Sequence, residues 1–175
     1  MAKDWKAYEV AVAKHLGAWW GSTFRRTPSS GAWSTQGRRY GNTASNDFHG
    51  DIVTPPEAKF PFSVECKVYK SVEIYLSLYG KSNVHDWWEQ CLADAHSVRK
   101  WPLLVMRENN KKPLAVISAK LWEALYTHTS FDLTKVRAIH MTWMNVNIKR
   151  SIVVMSLQAF TDNIPSAKLK KLANK

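Results

Sequence analysis

The chain has 175 residues, and its 25 lysines and arginines outnumber its 14 aspartates and glutamates, which gives a net charge of +11. This length is typical of one domain with a substantial core, and the basic excess favours a polyanionic partner without separating DNA from RNA or an anionic membrane. No apolar run approaches the roughly 20 residues that cross a bilayer, and the N-terminus lacks the apolar region of a signal peptide. We therefore expect an intracellular protein without a membrane span. Cys66 and Cys91 are expected to be reduced core thiols, and the scattered histidines predict no structural zinc.

A helix is predicted from Asp4 to Leu16, with an apolar stripe at spacings of three and four formed by Trp5, Tyr8, Val12 and Leu16. Glu9 falls inside this stripe. A carboxylate on a buried face is unfavourable unless something pairs with it. Two interpretations stay open: Glu9 bonds to a nearby arginine, or it faces a functional site.

Residues 21–46 form a polar, glycine-rich segment that contains two pairs of arginines, Arg25 with Arg26 and Arg38 with Arg39. Arginine pairs suit phosphate oxygens, and Ser29, Ser30 and the backbone at Gly31 add neutral donors. An ordinary solvated loop is the alternative. Long segments without regular structure are uncommon in compact domains unless they bind something, so we expect these seven residues to contact DNA.

The segment Phe62–Val68 predicts a strand in which apolar and polar side chains alternate. Glu65 and Lys67 share its polar face, and Asp51 precedes the apolar step Ile52-Val53. If Asp51 comes from an adjacent strand, two carboxylates meet beside one lysine, which is the oxygen cluster that Mg²⁺ prefers. The alternative is an ordinary ion pair on an exposed strand face.

Two decoys compete with these residues. Glu57-Ala58-Lys59 also has Glu-x-Lys spacing, but the prolines around it predict a loop, where the two-residue alternation is lost. Asp47 lies among Asn, Ser and Thr residues that favour turns. Asp51, Glu65 and Lys67 therefore remain the better candidates.

The second half of the chain predicts further helices and strands around this motif. A second helix is expected over Val84–Lys100, with Asn83 as N-cap, Trp87 in its core stripe and Gln90 at the edge of that stripe. The remaining expected elements are a buried strand at Leu103–Met106, its hairpin partner Leu114–Ile117, a short helix Ala119–Tyr126 capped by Ser118, and strands Ala138–Ile148 and Ser151–Leu157. We expect one domain over residues 1–165 and a basic, disordered tail over 166–175 that could lie along DNA.

Together these motifs resemble the PD-(D/E)xK nucleases, with Gly50 in place of the motif's proline. The order of four features is similar to that in archaeal-type Holliday junction resolvases. These features are Glu9 in the first helix, the Arg25–Gly31 segment, Gly50-Asp51-Ile52 and Glu65-Cys66-Lys67. The segments Trp87–Gln90 and Pro102–Val105 are similar to the bacteriophage relatives of those resolvases. The resemblance implies an α/β, restriction-endonuclease-like fold with a mixed central sheet flanked by helices.

The resemblance also implies roles for individual residues. Asp51 and Glu65 would hold one or two Mg²⁺ ions, for which Mn²⁺ substitutes, with the Cys66 carbonyl as a further ligand and Glu9 at a second ion, directly or through water. Lys67 would orient water or stabilise developing charge, and Gln90 would be an accessory residue. The implied protein is a homodimer that cuts four-way DNA junctions inside a prokaryotic host, encoded by a phage.

Two alternative functions remain open. The chain could be another PD-(D/E)xK nuclease, such as a restriction-like, repair or end-processing enzyme, because the catalytic residues would be the same. It could also be a non-catalytic DNA-binding protein that keeps the fold. The intact set of Asp51, Glu65 and Lys67 argues against the second alternative.

Overall fold

The computed structural model of the protein describes residues 4–28, 50–72, 74, 82–128, 136–145 and 147–172. The helices in these residues are α1 Asp4–Trp20, α2 Asn83–Ser97, α3 Ala119–His128, α4 Leu157–Asn163 and α5 Ser166–Leu172, with a 3-10 turn at Pro56–Ala58. The strands are β1 Arg25–Arg26, β2 Ile52–Val53, β3 Phe62–Tyr69, β4 Trp101–Glu108, β5 Leu114–Ser118, β6 Ala138–Asn145 and β7 Ile148–Ser156.

The described part of the chain forms a five-stranded sheet in the order β3-β4-β5-β7-β6, beside a two-stranded ribbon of β1 and β2. Strands β3 and β4 are parallel, whereas the other neighbours in the large sheet are antiparallel. Leu103–Met106 lie at the centre of β4 and are fully buried, as expected for a strand covered on both faces. The prediction of a restriction-endonuclease-like α/β fold with a mixed sheet is confirmed.

Helices cover both faces of this sheet, which makes three layers. One core joins α1, α3, α4 and α5 to the face of β3 that carries Phe62, Val64 and Cys66. The other core joins α2 to the opposite face through residues such as Trp88, Leu104 and Met106. The predicted alternation along β3 is therefore confirmed, and Glu65 and Lys67 point towards the layer that α2 occupies.

Several helix boundaries differ from the sequence predictions. Helix α1 continues past Leu16 to Trp20, whose ring packs edge-on against Phe60 with ring centroids 5.0 Å apart. Helix α2 ends at Ser97 rather than Lys100, and its N-cap is Ser82, not Asn83, since the Ser82 hydroxyl accepts a 3.2 Å hydrogen bond from the Val84 N–H.

The predicted disordered tail is helical where the structure describes it. Helix α5 spans Ser166–Leu172, Leu169 is buried in the core, and Lys170 lies over the Trp20 ring at 4.9 Å from its centroid. Lysine stems cover apolar surface while their ammonium groups stay in water, so a lysine-rich segment can still dock. The last two strands are confirmed, but their turn lies at Asn147, before the predicted position. No described helix is both long and apolar enough to cross a membrane.

Candidate active site

Asp51 lies at the outer edge of β3, the strand that carries Glu65 and Lys67. The residue lies just before β2, which pairs with β1 rather than with the large sheet. The Asp51 N–H donates to the Val64 carbonyl at 2.7 Å, and the Asp51 carboxylate accepts a 2.8 Å bond from the Cys66 N–H. Two hydrogen bonds thus hold the Asp51 backbone and carboxylate at the edge of the strand that carries Glu65 and Lys67.

Gly50 allows this close approach. Its φ is +82°, and a Cβ atom placed there would lie 2.5 Å from the Val64 carbonyl oxygen. Proline requires a φ near −65°, and any larger side chain would meet the backbone of β3. The local geometry therefore explains why glycine occupies the position where the PD-(D/E)xK motif has proline.

Glu65, Lys67 and Gln90 form a closed triangle between β3 and α2. The Lys67 ammonium lies 2.7 Å from the Glu65 carboxylate and donates to the Gln90 side-chain carbonyl at 3.0 Å. The Gln90 amide NH₂ donates to the same Glu65 oxygen at 3.0 Å. Gln90, which the sequence placed at the edge of its helix stripe, thus contacts both polar residues of the motif.

The carboxylates of the motif are buried rather than displayed on an exposed strand face. Glu65 is 6% exposed and Asp51 is 9% exposed, because α2 and the β1–β2 ribbon cover this part of β3. Burial raises the pKa of Glu65 to about 7, and the negative charge of Asp51 adds to the shift, while Lys67 opposes it. Two carboxylates that repel each other in a desolvated site are typical of a cation-binding or catalytic centre.

Glu9 lies on the other side of β3, in an ion pair with Arg26. The Arg26 Nε lies 2.5 Å from the Glu9 carboxylate, and Glu9 is only 4% exposed. The Arg26 guanidinium also lies over the Trp5 ring, 5.1 Å from its centroid. Burial raises the pKa of the Cys66 thiol, and the charges of Asp51 and Glu9 add to this shift. The arginine contact proposed for Glu9 is therefore present, and its carboxylate is also close enough to act electrostatically on β3.

Thr27 and Gly50, which lie on either side of most of the basic segment in the chain, meet beside Asp51. Thr27 donates its backbone N–H to the Asp51 carbonyl and its hydroxyl to the Gly50 carbonyl, each at 2.9 Å. Arg25 pairs with Val53 across the ribbon and its side chain is exposed. The predicted DNA contacts Ser29, Ser30, Gly31, Arg38 and Arg39 lie outside the described residues.

Sequence reasoning missed two residues of this site. Thr27 is buried and donates hydrogen bonds to the backbone carbonyls of Gly50 and Asp51. Asp94 raises the pKa of Glu65 through its charge, and it follows Gln90 by four residues, so the two share one face of α2. The helical spacing from Gln90 could have indicated Asp94, whereas Thr27 had no local signal.

Asp51, Glu65 and the Cys66 carbonyl are the groups near this edge of β3 that could hold a magnesium ion. Among the described residues, no three His, Cys, Asp or Glu side chains are grouped as a metal cluster. Mg²⁺ is commonly held by one or two carboxylates and keeps several waters and substrate phosphates. Because the N–H and C=O of a strand residue point to the same side, the Cys66 carbonyl faces the Asp51 edge as well.

Comparison with known protein families agrees with this geometry. A family model described as "phage putative PDDEXK endonuclease" matches residues 6–171. The chain belongs to this family and is a nuclease of the PD-(D/E)xK type. No curated protein and no solved structure gives a significant match.

Proposed function

We propose that this protein is a Mg²⁺-dependent endodeoxyribonuclease that cuts branched DNA, as a homodimeric Holliday junction resolvase of its phage. The observation that carries the catalytic part is the hydrogen bond from Cys66 to the Asp51 carboxylate, which places Asp51 beside the triangle of Glu65, Lys67 and Gln90. The preference for four-way junctions rests on the sequence resemblance and on the position of the basic segment.

In this proposal Asp51, Glu65 and the Cys66 carbonyl hold the cation, and Mn²⁺ would substitute. A bound Mg²⁺ supplies Lewis-acid stabilisation of the scissile phosphate and lowers the pKa of its water. The mutual repulsion of the two buried carboxylates supports this assignment, since a cation between them would favour their charged forms. Glu9 would act on a second ion, directly or through water, from the α1 side of the strand.

Lys67 would orient the attacking water or stabilise the negative charge that develops on the phosphate. Its ammonium lies between Glu65 and Gln90, so its position is fixed by two contacts rather than by one. Gln90 would be a positioning residue, because it accepts from Lys67 and donates to Glu65 at the same time. Rigid support of this kind keeps a reacting geometry that a displacement of about 1 Å would disturb.

DNA binding would involve the basic segment on both sides of the catalytic edge. Arg25 is exposed beside β2, and in the chain Ser29, Ser30, Gly31, Arg38 and Arg39 lie between Thr27 and Gly50. Thr27 and Gly50 are joined by a hydrogen bond next to Asp51. Phosphate contacts from this segment would position the scissile strand, which agrees with the net charge of +11.

A cleavage assay with labelled DNA tests this function. Wild-type protein with Mg²⁺ is incubated with a four-way junction, a flap, a single strand and a linear duplex of matched sequence. We expect paired cuts in opposed strands of the junction, and we expect Asp51→Asn, Glu65→Gln and Lys67→Ala to cut none of the substrates while still binding the junction. The oligomeric state is measured on the same preparation by light scattering, with a dimer expected.

The decoy motif offers matched control variants. Glu57→Gln and Lys59→Ala remove the same chemical groups at the same spacing, but from an exposed turn. Both controls should cut at the wild-type rate. Wild-type cleavage by all three site variants would eliminate the catalytic assignment. Equal cleavage of junction and linear duplex would instead favour a general PD-(D/E)xK nuclease, and binding without any cleavage would favour the non-catalytic alternative.

A further inference from the structure

An aromatic pair of one exposed ring and one partly buried ring lies directly beside the Lys67–Gln90 contact. Tyr69 follows Lys67 by two residues on β3, so both side chains stand on the same face of the strand. Trp87 precedes Gln90 by one turn of α2, and its ring centroid is 5.0 Å from that of Tyr69. Strand and helix thus make two successive contacts, first lysine with glutamine and then tyrosine with tryptophan.

The two rings differ in burial. Tyr69 is 48% exposed, which is unusual for a large aromatic residue at the end of a strand in the main sheet. Trp87 is partly buried against the core beneath α2, whereas its neighbour Trp88 fills that core at 2% exposure. The sequence predicted Trp87 for the core stripe, with Trp88 widening it. Both residues pack in this core, Trp88 more deeply, and Trp87 also contacts Tyr69. The partly buried Trp87 ring therefore packs against the exposed Tyr69 ring and supports it.

The charges around the exposed ring match a nucleic-acid strand. Lys67 precedes Tyr69 on the same face, and Lys70, which follows it, is exposed. Proteins that bind single strands combine basic side chains for phosphates with aromatic rings on which bases stack. At about 3.3 Å per strand residue, the Cα atoms of Tyr69 and Lys67 are roughly 7 Å apart, a separation that suits the nucleotide next to the phosphate that is cut.

We infer that Tyr69, supported by Trp87, stacks a nucleobase that has left the double helix next to the scissile phosphate. This inference rests on the proposed function and specifies its substrate. Bases inside an intact duplex are stacked on each other and offer no free face to a side chain. A stacking ring beside the catalytic lysine therefore favours DNA with an unpaired nucleotide at the cut, as at a branch point, a flap or a single strand.

The experiment compares Tyr69→Ala, Tyr69→Leu and Tyr69→Phe with the wild-type protein. Binding is measured in EDTA to a four-way junction and to a linear duplex, with 2-aminopurine placed beside the mapped cleavage position. We expect Ala and Leu to weaken junction binding by roughly 5- to 100-fold and to abolish the fluorescence change of 2-aminopurine. Tyr69→Phe keeps the aromatic ring, so it should keep both the junction affinity and the fluorescence change. Linear duplex binding should change less than twofold in all three variants.

Tyr126 provides the matched control, since it is an exposed tyrosine at 66% on α3, on the face of the sheet opposite α2. Tyr126→Ala should leave junction binding and fluorescence unchanged. Equal losses on junction and duplex, or wild-type behaviour of Tyr69→Ala, would overturn the stacking inference. These results are distinguishable from a failure of the proposed function, which would appear as no cleavage of any DNA by the wild-type protein.

Discussion

The Asp51 carboxylate accepts a hydrogen bond from the backbone N–H of Cys66, the residue between Glu65 and Lys67. This contact joins the residue that precedes β2 to the edge strand of the main sheet. Since the Asp51 N–H also bonds the Val64 carbonyl, Asp51 is held from two points of β3. The geometry of the candidate active site therefore depends on how closely the chain at Gly50 approaches that strand.

Replacing Gly50 by alanine should disturb both stability and catalysis. The added Cβ would lie 2.5 Å from the Val64 carbonyl oxygen, in a backbone conformation with φ +82° that alanine rarely adopts. We expect the free energy of unfolding to fall by about 3 kcal/mol or more, since steric overlap adds to the backbone strain. Displacement of Asp51 should lower the cleavage rate by roughly 100-fold.

Gly21 is the matched control for this substitution. Its φ is +76°, but a Cβ there would have no atom within 4 Å. Gly21→Ala should therefore show only the backbone strain, about 1 kcal/mol, with cleavage unchanged. Thermal unfolding and cleavage rates are measured for both variants. Similar effects at the two positions would mean that the contact with Val64 is unimportant for the site.

The β3 part of the site was predictable from the sequence because it depends on local alternation. Phe62, Val64 and Cys66 are apolar, Glu65 and Lys67 are not, and a strand has to place these two sets on opposite faces. The fold class was predicted from the resemblance to the PD-(D/E)xK nucleases, whereas the continuous apolar run predicted only that β4 is buried on both faces. Gln90 was only partly predictable, because its contact with β3 depends on how α2 docks.

Other features depend on contacts between residues far apart in the chain, which local patterns do not encode. The path of Asp51 along β3 and the anchoring of Thr27 at the Gly50 carbonyl are of this kind. The docking of α5 is another, since Leu169 is buried against elements that precede it by many residues. The predictions failed or stayed incomplete at these places because long-range packing outweighs local composition.

Without divalent metal, the free energy of unfolding should fall as pH rises between the unfolded and the folded pKa of Glu65. Its pKa is raised on folding from 4.5 to about 7, so the folded state binds this proton more tightly than the unfolded state. A group of this kind destabilises the folded protein as pH increases from 4.5 to about 7. The loss should be on the order of 3 kcal/mol, and Glu65→Gln should lack it.

The measurement is urea unfolding of wild type and Glu65→Gln across this pH range, first in EDTA and then with Mg²⁺. A nearby cation favours the ionised carboxylate, so Mg²⁺ should reduce the pH slope of the wild type and have little effect on the variant. Glu57→Gln, at an exposed turn, serves as the control and should follow the wild type. Parallel curves for wild type and Glu65→Gln would contradict the prediction.

The roles of Glu9 and Arg26 can be distinguished by removing each partner of their ion pair in turn. Glu9→Gln removes the carboxylate, whereas Arg26→Met removes the guanidinium and leaves a carboxylate on a residue that is 4% exposed. We expect Arg26→Met to reduce stability more, by about 3 kcal/mol, because a buried charge loses its neutralising group. If Glu9 acts on a metal ion, Glu9→Gln should lower cleavage at least tenfold while Arg26→Met retains most of it. Equal loss of cleavage in both variants would leave Glu9 with a structural role only.

Gln90 should contribute to the rate of cleavage more than to binding. Gln90→Met keeps the length of the side chain but removes both hydrogen bonds, to Lys67 and to Glu65. Lys67 and Glu65 are both still present in this variant, but neither is held by Gln90. We therefore expect the rate to fall by roughly 10- to 100-fold, less than in Lys67→Ala. Single-turnover cleavage separates this effect from junction affinity, which should stay within twofold of wild type. An unchanged rate would show that Gln90 is not needed to position the lysine.

Arg25 should account for one phosphate contact, which can be counted by the salt dependence of binding. Arg25 is exposed, whereas Arg26 is paired with Glu9, so only Arg25 is free of that ion pair. Removing one phosphate contact reduces the slope of log affinity against log salt by roughly 0.9. We therefore expect Arg25→Ala to reduce the slope by about one unit. The double Arg25/Arg26 variant should fall short of the roughly two units expected if both arginines contacted phosphates.

Arg137 is the matched control for Arg25, because it is an exposed arginine just before β6, at the sheet edge opposite β3. Arg137→Ala should leave the slope unchanged, since DNA held at the catalytic edge would not reach it. If the segment that begins at Arg25 recognises branched shape, Arg25→Ala should weaken binding to a four-way junction more than to linear duplex. Equal losses on the two DNAs would favour a general nuclease. Unchanged binding to both the junction and the duplex would show that Arg25 does not contact DNA.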